Sequence, residues 1–461
     1  MDSLPLSQPE PAPVFPLRRI FRLMGIDRAI GYTVLARGWA ALAGLVSLVL
    51  IARTLSPAEQ GYYYTFGSLV ALQIVFELGF SVVILQLAAH EVAHLKIGPG
   101  GIISGPAGAH ARLASIFRKV VKWYFVAAVL MACLLVPVGW HFFAATPDPH
   151  HSVSWRFPWV AVVLASSVTF QIDPIFSFLE GCGFVARVAR TRLAQSMLGG
   201  LLAWSILLLH HGLFAPALLI AGQAIAGIVW IAGHRTMLQK LFRHPIGEGQ
   251  IDWGQEVWPF QWRIAVSYAC GFFLFQLFNP ILFHYWGPVE AGRMGMSLNI
   301  SNAIASIAIA WINTKAAPFG TLIARREFHA LDHLFFRSAA QTIAFCLLGS
   351  LAVWIGAYVL AQRHMPFAQR LLPPLPFALL LLSMNVNQAV SSMALYLRAH
   401  KQEKFLIPSV VGAIVLTLSA FLLGRPYGAL GMTLGQLVGA VAIGLGFGGY
   451  TFFKFRKLWH A

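Results

Sequence analysis

Apolar runs of about 20 residues recur along this chain from Ala29 to Phe453. Each is long enough to cross about 30 Å of hydrocarbon as a helix. A backbone in hydrocarbon must satisfy its own polar groups, so a spanning run of this kind is helical. Twelve spans are expected at 29–52, 62–88, 121–143, 157–180, 192–210, 215–233, 262–285, 291–313, 337–360, 373–397, 404–423 and 429–452. They leave little chain for a soluble domain. Only 11% of the 461 residues are charged and 58% are hydrophobic, against about 25% charged in soluble domains. The fold class is an all-α polytopic membrane protein of about 12 transmembrane helices.

A net charge of +17 would suggest nucleic acid in a soluble chain. Here the cations sort by side. The tails and the loops after even-numbered spans hold 26 of the 33 Lys and Arg, from Arg18 and Arg28 through Arg118, Lys240 and Arg337 to Lys457. Arg53, Arg156, Arg363, Arg370 and Arg425 fall in the opposite loops, and Arg37 and Arg293 lie within spans. The asymmetry places both termini in the cytoplasm and leaves no role for nucleic acid. Residues 1–28 form a cytoplasmic tail whose stretch from Pro16 is basic and amphipathic, suited to the inner leaflet. Cys133, Cys182, Cys270 and Cys346 lack paired spacing and are expected as free thiols.

The chain repeats itself. Pro57-Ala58-Glu59-Gln60-Gly61 follows the first span, and Pro288-Val289-Glu290-Ala291-Gly292 follows the seventh, 231 residues later. Phe117-Arg118 pairs with Phe336-Arg337, and Gly222-Gln223 with Gly435-Gln436, in the same order. Six helices (29–233) are therefore followed by six related ones (262–453), joined by a cytoplasmic linker at 234–261 and closed by a tail at 454–461. Both halves start on the same side, so the two lobes are pseudo-symmetric about the membrane normal with a cavity between them.

Polar groups within spans are costly, roughly 2.5–3.5 kcal/mol for a charge, and so face the bundle interior or water. Arg37 shares its helix face with Ala40, Ala41 and Gly44. Gln73, Glu77 and Ser81 recur at i, i+4 and i+8 in the second span. Gln276 and Asn279 share a face of the seventh, and the eighth carries Arg293, Asn302 and, at its end, Lys315. These eight (Arg37, Gln73, Glu77, Gln276, Asn279, Arg293, Asn302 and Lys315) are the candidate cavity residues, with an Arg37–Glu77 structural pair as the alternative reading. Arginine presents a planar fork to phosphate, and amides and hydroxyls exchange hydrogen bonds with sugars, so the set suits an anionic, sugar-bearing head group.

Arg53-Thr54-Leu55-Ser56-Pro57 through Gly61-Tyr62-Tyr63-Tyr64, then Phe76-Glu77-Leu78-Gly79, resembles the start of the polysaccharide-exporting, Wzx-type O-antigen flippases of the multidrug/oligosaccharidyl-lipid/polysaccharide (MOP) superfamily. Trp311-Ile312-Asn313-Thr314-Lys315 and Pro318-Phe319-Gly320 resemble the end of the eighth helix in a bacterial subgroup. The resemblance implies a flippase of the bacterial inner membrane. It would move an undecaprenyl-pyrophosphate-linked oligosaccharide to the outer leaflet for surface polysaccharide or lipopolysaccharide synthesis, by alternating access. Membrane lipids and polysaccharide-assembly proteins are the implied partners. No cofactor and no catalytic residue are expected.

Two alternatives stand beside it. A multidrug/cation antiporter of the same superfamily would want acidic cavity residues, which Glu77 and Asp173 supply. His90-Glu91-Val92-Ala93-His94 fits the H-E-x-x-H pattern of a zinc protease, although a catalytic zinc also needs a third ligand and the later acidic motif of membrane zinc proteases is missing from the sequence. The pattern therefore reads as an interfacial His/Glu cluster.

Overall fold

The computed structural model describes residues 28–77, 79–98, 103–146, 153–245, 251–400 and 404–460; the basic stretch at 16–27 lies outside them. The first pass is α1 (Arg28–Thr54). The second is broken into α2 (Pro57–Val70), α3 (Gln73–Glu77) and α4 (Phe80–Val92), rather than the single helix expected over 62–88. Ser56 starts α2 with a capping box: its hydroxyl accepts from Glu59 N at 3.2 Å and Glu59 Oε2 accepts from Ser56 N at 2.8 Å, with Pro57 in the first turn, where its missing N–H costs nothing. The break before α4 falls at Gly79, whose φ of 69° only glycine adopts freely.

A short antiparallel pair, β1 (Lys96–Ile97) and β2 (Ile103–Ser104), precedes α5 (Ala107–Ala144). Then come α6 (Arg156–Gly181), α7 (Val185–Leu208) and α8 (Ala215–Gly233). The linker carries α9 (Arg235–Arg243) and a π turn at Trp253–Val257. The second half opens with a broken pass, α10 (Trp258–Phe275) and α11 (Phe278–Trp286), parted at Gln276 and Leu277. It continues through α12 (Pro288–Asn313), α13 (Ala316–Ala324), α14 (Phe328–Gln362) and α15 (Pro374–Ala399). Last come α16 (Leu406–Gly439), a π segment and α17 (Gly448–His460).

The 406–460 stretch is two passes. At Gly428 the backbone turns to φ 58°, ψ −139°, and the chain folds back: Gly435 packs on Ser419 and Gly439 on Leu416. Among the described residues seven helices are long and apolar enough to cross a membrane, and the bent pair across 57–92 makes an eighth. The remaining passes are α1, whose apolar part is only Gly38–Thr54; α7, which carries Arg187, Arg190 and Arg192; the broken α10–α11; and the second arm of the 406–460 hairpin. The protein is an all-α polytopic membrane protein of about twelve passes.

The outward faces are greasy. Leu45, Phe125, Val229, Leu348 and Leu422 are each more than 60% exposed, as lipid contact requires. Within the first half α1 packs on α7, α7 on α8, and α6 on α4, α5 and α8; within the second, α12 packs on α14 and α15, and α10 on α16. The halves meet where α2 lies against α11 and α12, and where α3 and α4 touch α10. Charged ties gather at the cation-rich end. Arg456 of α17 grips Asp332 of α14, with Nη2 2.5 Å from Oδ2, and Tyr396 of α15 donates to Asp332 Oδ1 at 3.0 Å. In the first half Arg118 of α5 donates to the linker carbonyls of Phe242 (3.0 Å) and His244 (2.7 Å).

Candidate functional site

The two repeat-related pentapeptides pack against each other. At the end opposite the cation-rich loops, Gly61 of α2 is pressed onto the Pro288 backbone, and Gly292 of α12 onto Gly61 and Pro57. A methyl group on Gly61 would overlap the Pro288 carbonyl; one on Gly292 would sit 2.9 Å from Gly61 N. One turn on, Gly295 lies under the Tyr64 ring. Only residues without a side chain let the helix axes come this close.

Hydrogen bonds then fasten the junction. Gln60, 1% exposed, donates from Nε2 to Gly292 O at 2.8 Å and to Arg370 O at 3.1 Å. Arg370 reaches back from the 3-10 turn Pro366–Arg370 to donate to Leu55 O at 2.6 Å. Deeper along the same seam, Asn279 Nδ2 of α11 donates to Ser68 Oγ of α2 at 3.0 Å. This end is shut by small residues and by bonds that cross from one half to the other.

A polar hollow of about 170 Å³ lies inside the first half. Gln73 and Glu77 of α3, Ser81 of α4, Asp173 of α6 and Gln223 of α8 line it, with the buried Tyr124 ring of α5 at its wall. Gln73 and Glu77 of α3 and Ser81 of α4 meet across the break at Gly79, where Ser81 Oγ donates to Glu77 Oε1 at 2.7 Å. Two carboxylates among hydroxyls and amides can hold a proton or a cation. The volume falls below the roughly 300–1,000 Å³ of small-molecule pockets, so in this conformation the hollow does not hold a glycan.

Of the eight expected residues, the seven whose side chains are described do not converge. Gln73 and Glu77 share the first-half hollow, and the sequence reading left out its other members, Ser166, Thr169 and Gln223. Asn279 is spent on the seam to Ser68. Gln276 ends α10 at the break. Arg293 sits near the closed end, where Nη1 pairs with Glu290 Oε1 at 2.6 Å and Nε donates to Gln369 O at 3.0 Å; its repeat position after Gly292 brings it to the junction instead of the hollow. Asn302 is exposed on α12, and Lys315 lines a separate cleft at the cation-rich end. The Arg37 side chain, and with it the Arg37–Glu77 pairing, lies outside the described residues.

Gln60 and Arg370 were also missed as functional candidates, because their partners are 310 and 315 residues away. In the H-E-x-x-H stretch, Glu91 is buried and its Oε1 takes a 2.9 Å ion pair from Arg112, which also holds Glu256 of the linker at 2.7 Å. A general base must be free to accept a proton from water. Glu91 is instead a structural anchor between α4, α5 and the linker.

No family model matches the chain, and no curated sequence does. Solved structures do. The chain is similar to a structure of the lipid II flippase MurJ in an inward closed conformation, with a TM-score of 0.62 at 11% identity, over 92% of this chain and 87% of that one. It is similar to the eukaryotic MATE transporter AtDTX14, at 0.59 and 14% identity, over 96% and 99%. A third likeness is to an inward-facing multidrug resistance MATE family transporter of the MOP superfamily, at 0.54 and 14%, over 90% and 99%. All three are transporters or flippases. At these identities the likeness establishes the fold alone.

Proposed function

We propose that this chain is a flippase that moves a lipid-linked oligosaccharide, carried on undecaprenyl pyrophosphate, from the cytoplasmic to the outer leaflet of a bacterial inner membrane for surface polysaccharide synthesis. The observation that carries the reading is the junction of repeat-related segments at one end of the molecule. Pro57–Gly61 and Pro288–Gly292 close on each other there, while the cations cluster at the other end. On the positive-inside rule the closed end is periplasmic and both termini are cytoplasmic. Lobes 29–233 and 262–453 rock about this contact. Opening it, with closure of the opposite end, exposes a head group to the far side while the lipid tail stays in the bilayer. Similarity over nearly the whole chain to the lipid II flippase fold supports the scheme.

A second reading, a multidrug/cation antiporter, is favoured by Glu77 and Asp173 in one hollow, an arrangement suited to a coupling proton or cation. The two are separated by deleting the gene and analysing the lipid extract by mass spectrometry. A flippase predicts accumulation of a lipid-linked glycan. An unchanged lipid profile together with increased sensitivity to cationic drugs overturns the flippase reading in favour of the antiporter.

A further inference from the structure

The largest cleft among those described, about 640 Å³, lies between α12 and α14 at the cation-rich end. Its two walls are periodic. Ile307, Ala310, Trp311 and Thr314 come from α12, and Leu334, Arg337, Ser338 and Gln341 from α14. Both sets follow i, i+3, i+4, i+7, the signature of a single helix face. Lys315 stands at the mouth. The cleft is polar at that end and apolar further in: Ile307 is 52% exposed and lies about 12 Å along the helix from Lys315 at 1.5 Å per residue.

Two observations single out the cations. Lys315 and Arg337 have no carboxylate partner among the described residues; the nearest acids in sequence are taken, Glu327 by Arg325 and Asp332 by Arg456. Arg337 is also the repeat counterpart of Arg118, and Arg118 is spent on two linker carbonyls. Arg337 instead faces an open cleft. Ser338, 1% exposed, lines the same space. Trp311 is fixed by its indole N–H, which donates to Gln341 Oε1 at 3.1 Å, so its exposed ring is held in place.

We infer that this cleft binds the phosphoryl head group of an amphiphile from the adjoining leaflet. Arg337 and Lys315 take the phosphate oxygens, the guanidinium supplying the fork that phosphate geometry matches. Ser338 adds a hydroxyl donor. The Trp311 ring offers a flat apolar face to whatever the phosphate carries, and the tail runs along Ile307 into hydrocarbon. The site deepens the flippase reading by giving its substrate a docking point before the lobes move, but binding here does not require that transport occur.

The test uses the full-length protein in detergent, with binding read by thermal shift and native mass spectrometry. The probes are geranylgeranyl pyrophosphate, phosphatidylglycerol and inorganic pyrophosphate. The variants are the pair Lys315→Gln with Arg337→Gln, and the charge-keeping pair Lys315→Arg with Arg337→Lys. Saturable binding of a lipid probe, weakened about tenfold or more by the neutral pair and largely kept by the charge-keeping pair, supports the site. Preference for the prenyl pyrophosphate assigns it to a transport substrate, and preference for phosphatidylglycerol to a resident bilayer lipid. Equal lipid binding by wild type and the neutral pair, or binding of inorganic pyrophosphate alone, overturns it. Binding that persists while cells lacking the gene show no lipid-linked intermediate overturns the flippase function and leaves the site standing.

Discussion

Gly61 and Gly292, the closing residues of two pentapeptides 231 positions apart, pack backbone to backbone, so that a methyl group on Gly292 would lie 2.9 Å from Gly61 N. The contact joins the two halves at one end only of α2 and α12. Its closeness makes it a sharp place to perturb, since rigid backbone cannot yield as a long side chain can.

Gly61→Leu is expected to wedge α2 from α12 while the protein still inserts. Spin labels at Ala58→Cys and Val289→Cys, with the native cysteines replaced, should report a longer distance than in the glycine background, and transport should fall to background. An unchanged distance with normal transport would show that this junction is not a moving contact.

Gln60 and Arg370 offer a gentler version. Removing the buried Gln60 amide deletes its bonds to Gly292 O and Arg370 O, at a cost of about 1–3 kcal/mol for the two. If that cost falls on the closed state alone, Gln60→Ala shifts the closed-to-open ratio roughly 5–150-fold. Arg370→Ala should shift it in the same direction. The same spin-label pair measures both; a ratio unmoved in both variants would mean the bonds form in each state alike.

If the hollow couples transport to a proton or cation, Glu77→Gln and Asp173→Asn should each lower transport about tenfold or more without loss of membrane insertion, because an amide cannot take up either. The double variant should be little worse than either single one if the carboxylates act as a unit. Transport by whole cells, normalised to protein in the membrane, decides it. Full activity in the double variant would make the hollow a packing defect filled with polar groups.

Arg112 holds Glu91 and Glu256 together. Arg112→Ala strands a buried carboxylate and should destabilise the protein by about 2 kcal/mol, below the 3–5 expected for a fully buried pair because Arg112 is one-third exposed. Adding Glu91→Gln should recover much of the loss. The hydrogen bond from Arg112 holds the Glu256 carboxyl below its ordinary value. Its contribution is therefore complete above the usual glutamate pKa of about 4.3 and is lost as pH falls through the lowered folded-state value. Protease cleavage within the linker residues 251–257 should be slow at neutral pH and accelerate only below that range. Rapid cleavage already at pH 7 would disconnect the linker from this pair.

Much of the architecture was legible in the chain. Apolar runs are local features, and they carried the helical class and the pass count. The Gln73–Glu77–Ser81 stripe was legible as well, because a helix face is set by spacing alone. The breaks near Gly79 and at Gln276 were not, since a single left-handed residue or a cap inside an apolar run leaves the hydropathy unchanged. Nor was the divided fate of the eight polar residues. Helical period says that Arg293 shares a face with Ser297, but not that Glu290 and the Gln369 carbonyl would take its guanidinium first.

The sequence by itself determined that the chain must live in lipid and cross it as helices, because apolar runs of about 20 residues are long enough to span hydrocarbon only as helices that satisfy their own backbone groups. Only the tertiary structure decided which polar groups are spent and which are free. Arg118 and Arg337 each follow a phenylalanine in an apolar helix, yet one is bound to the linker and the other lines an open cleft. A side chain's partners depend on what the rest of the fold brings within 3 Å, and that proximity is not encoded at either residue.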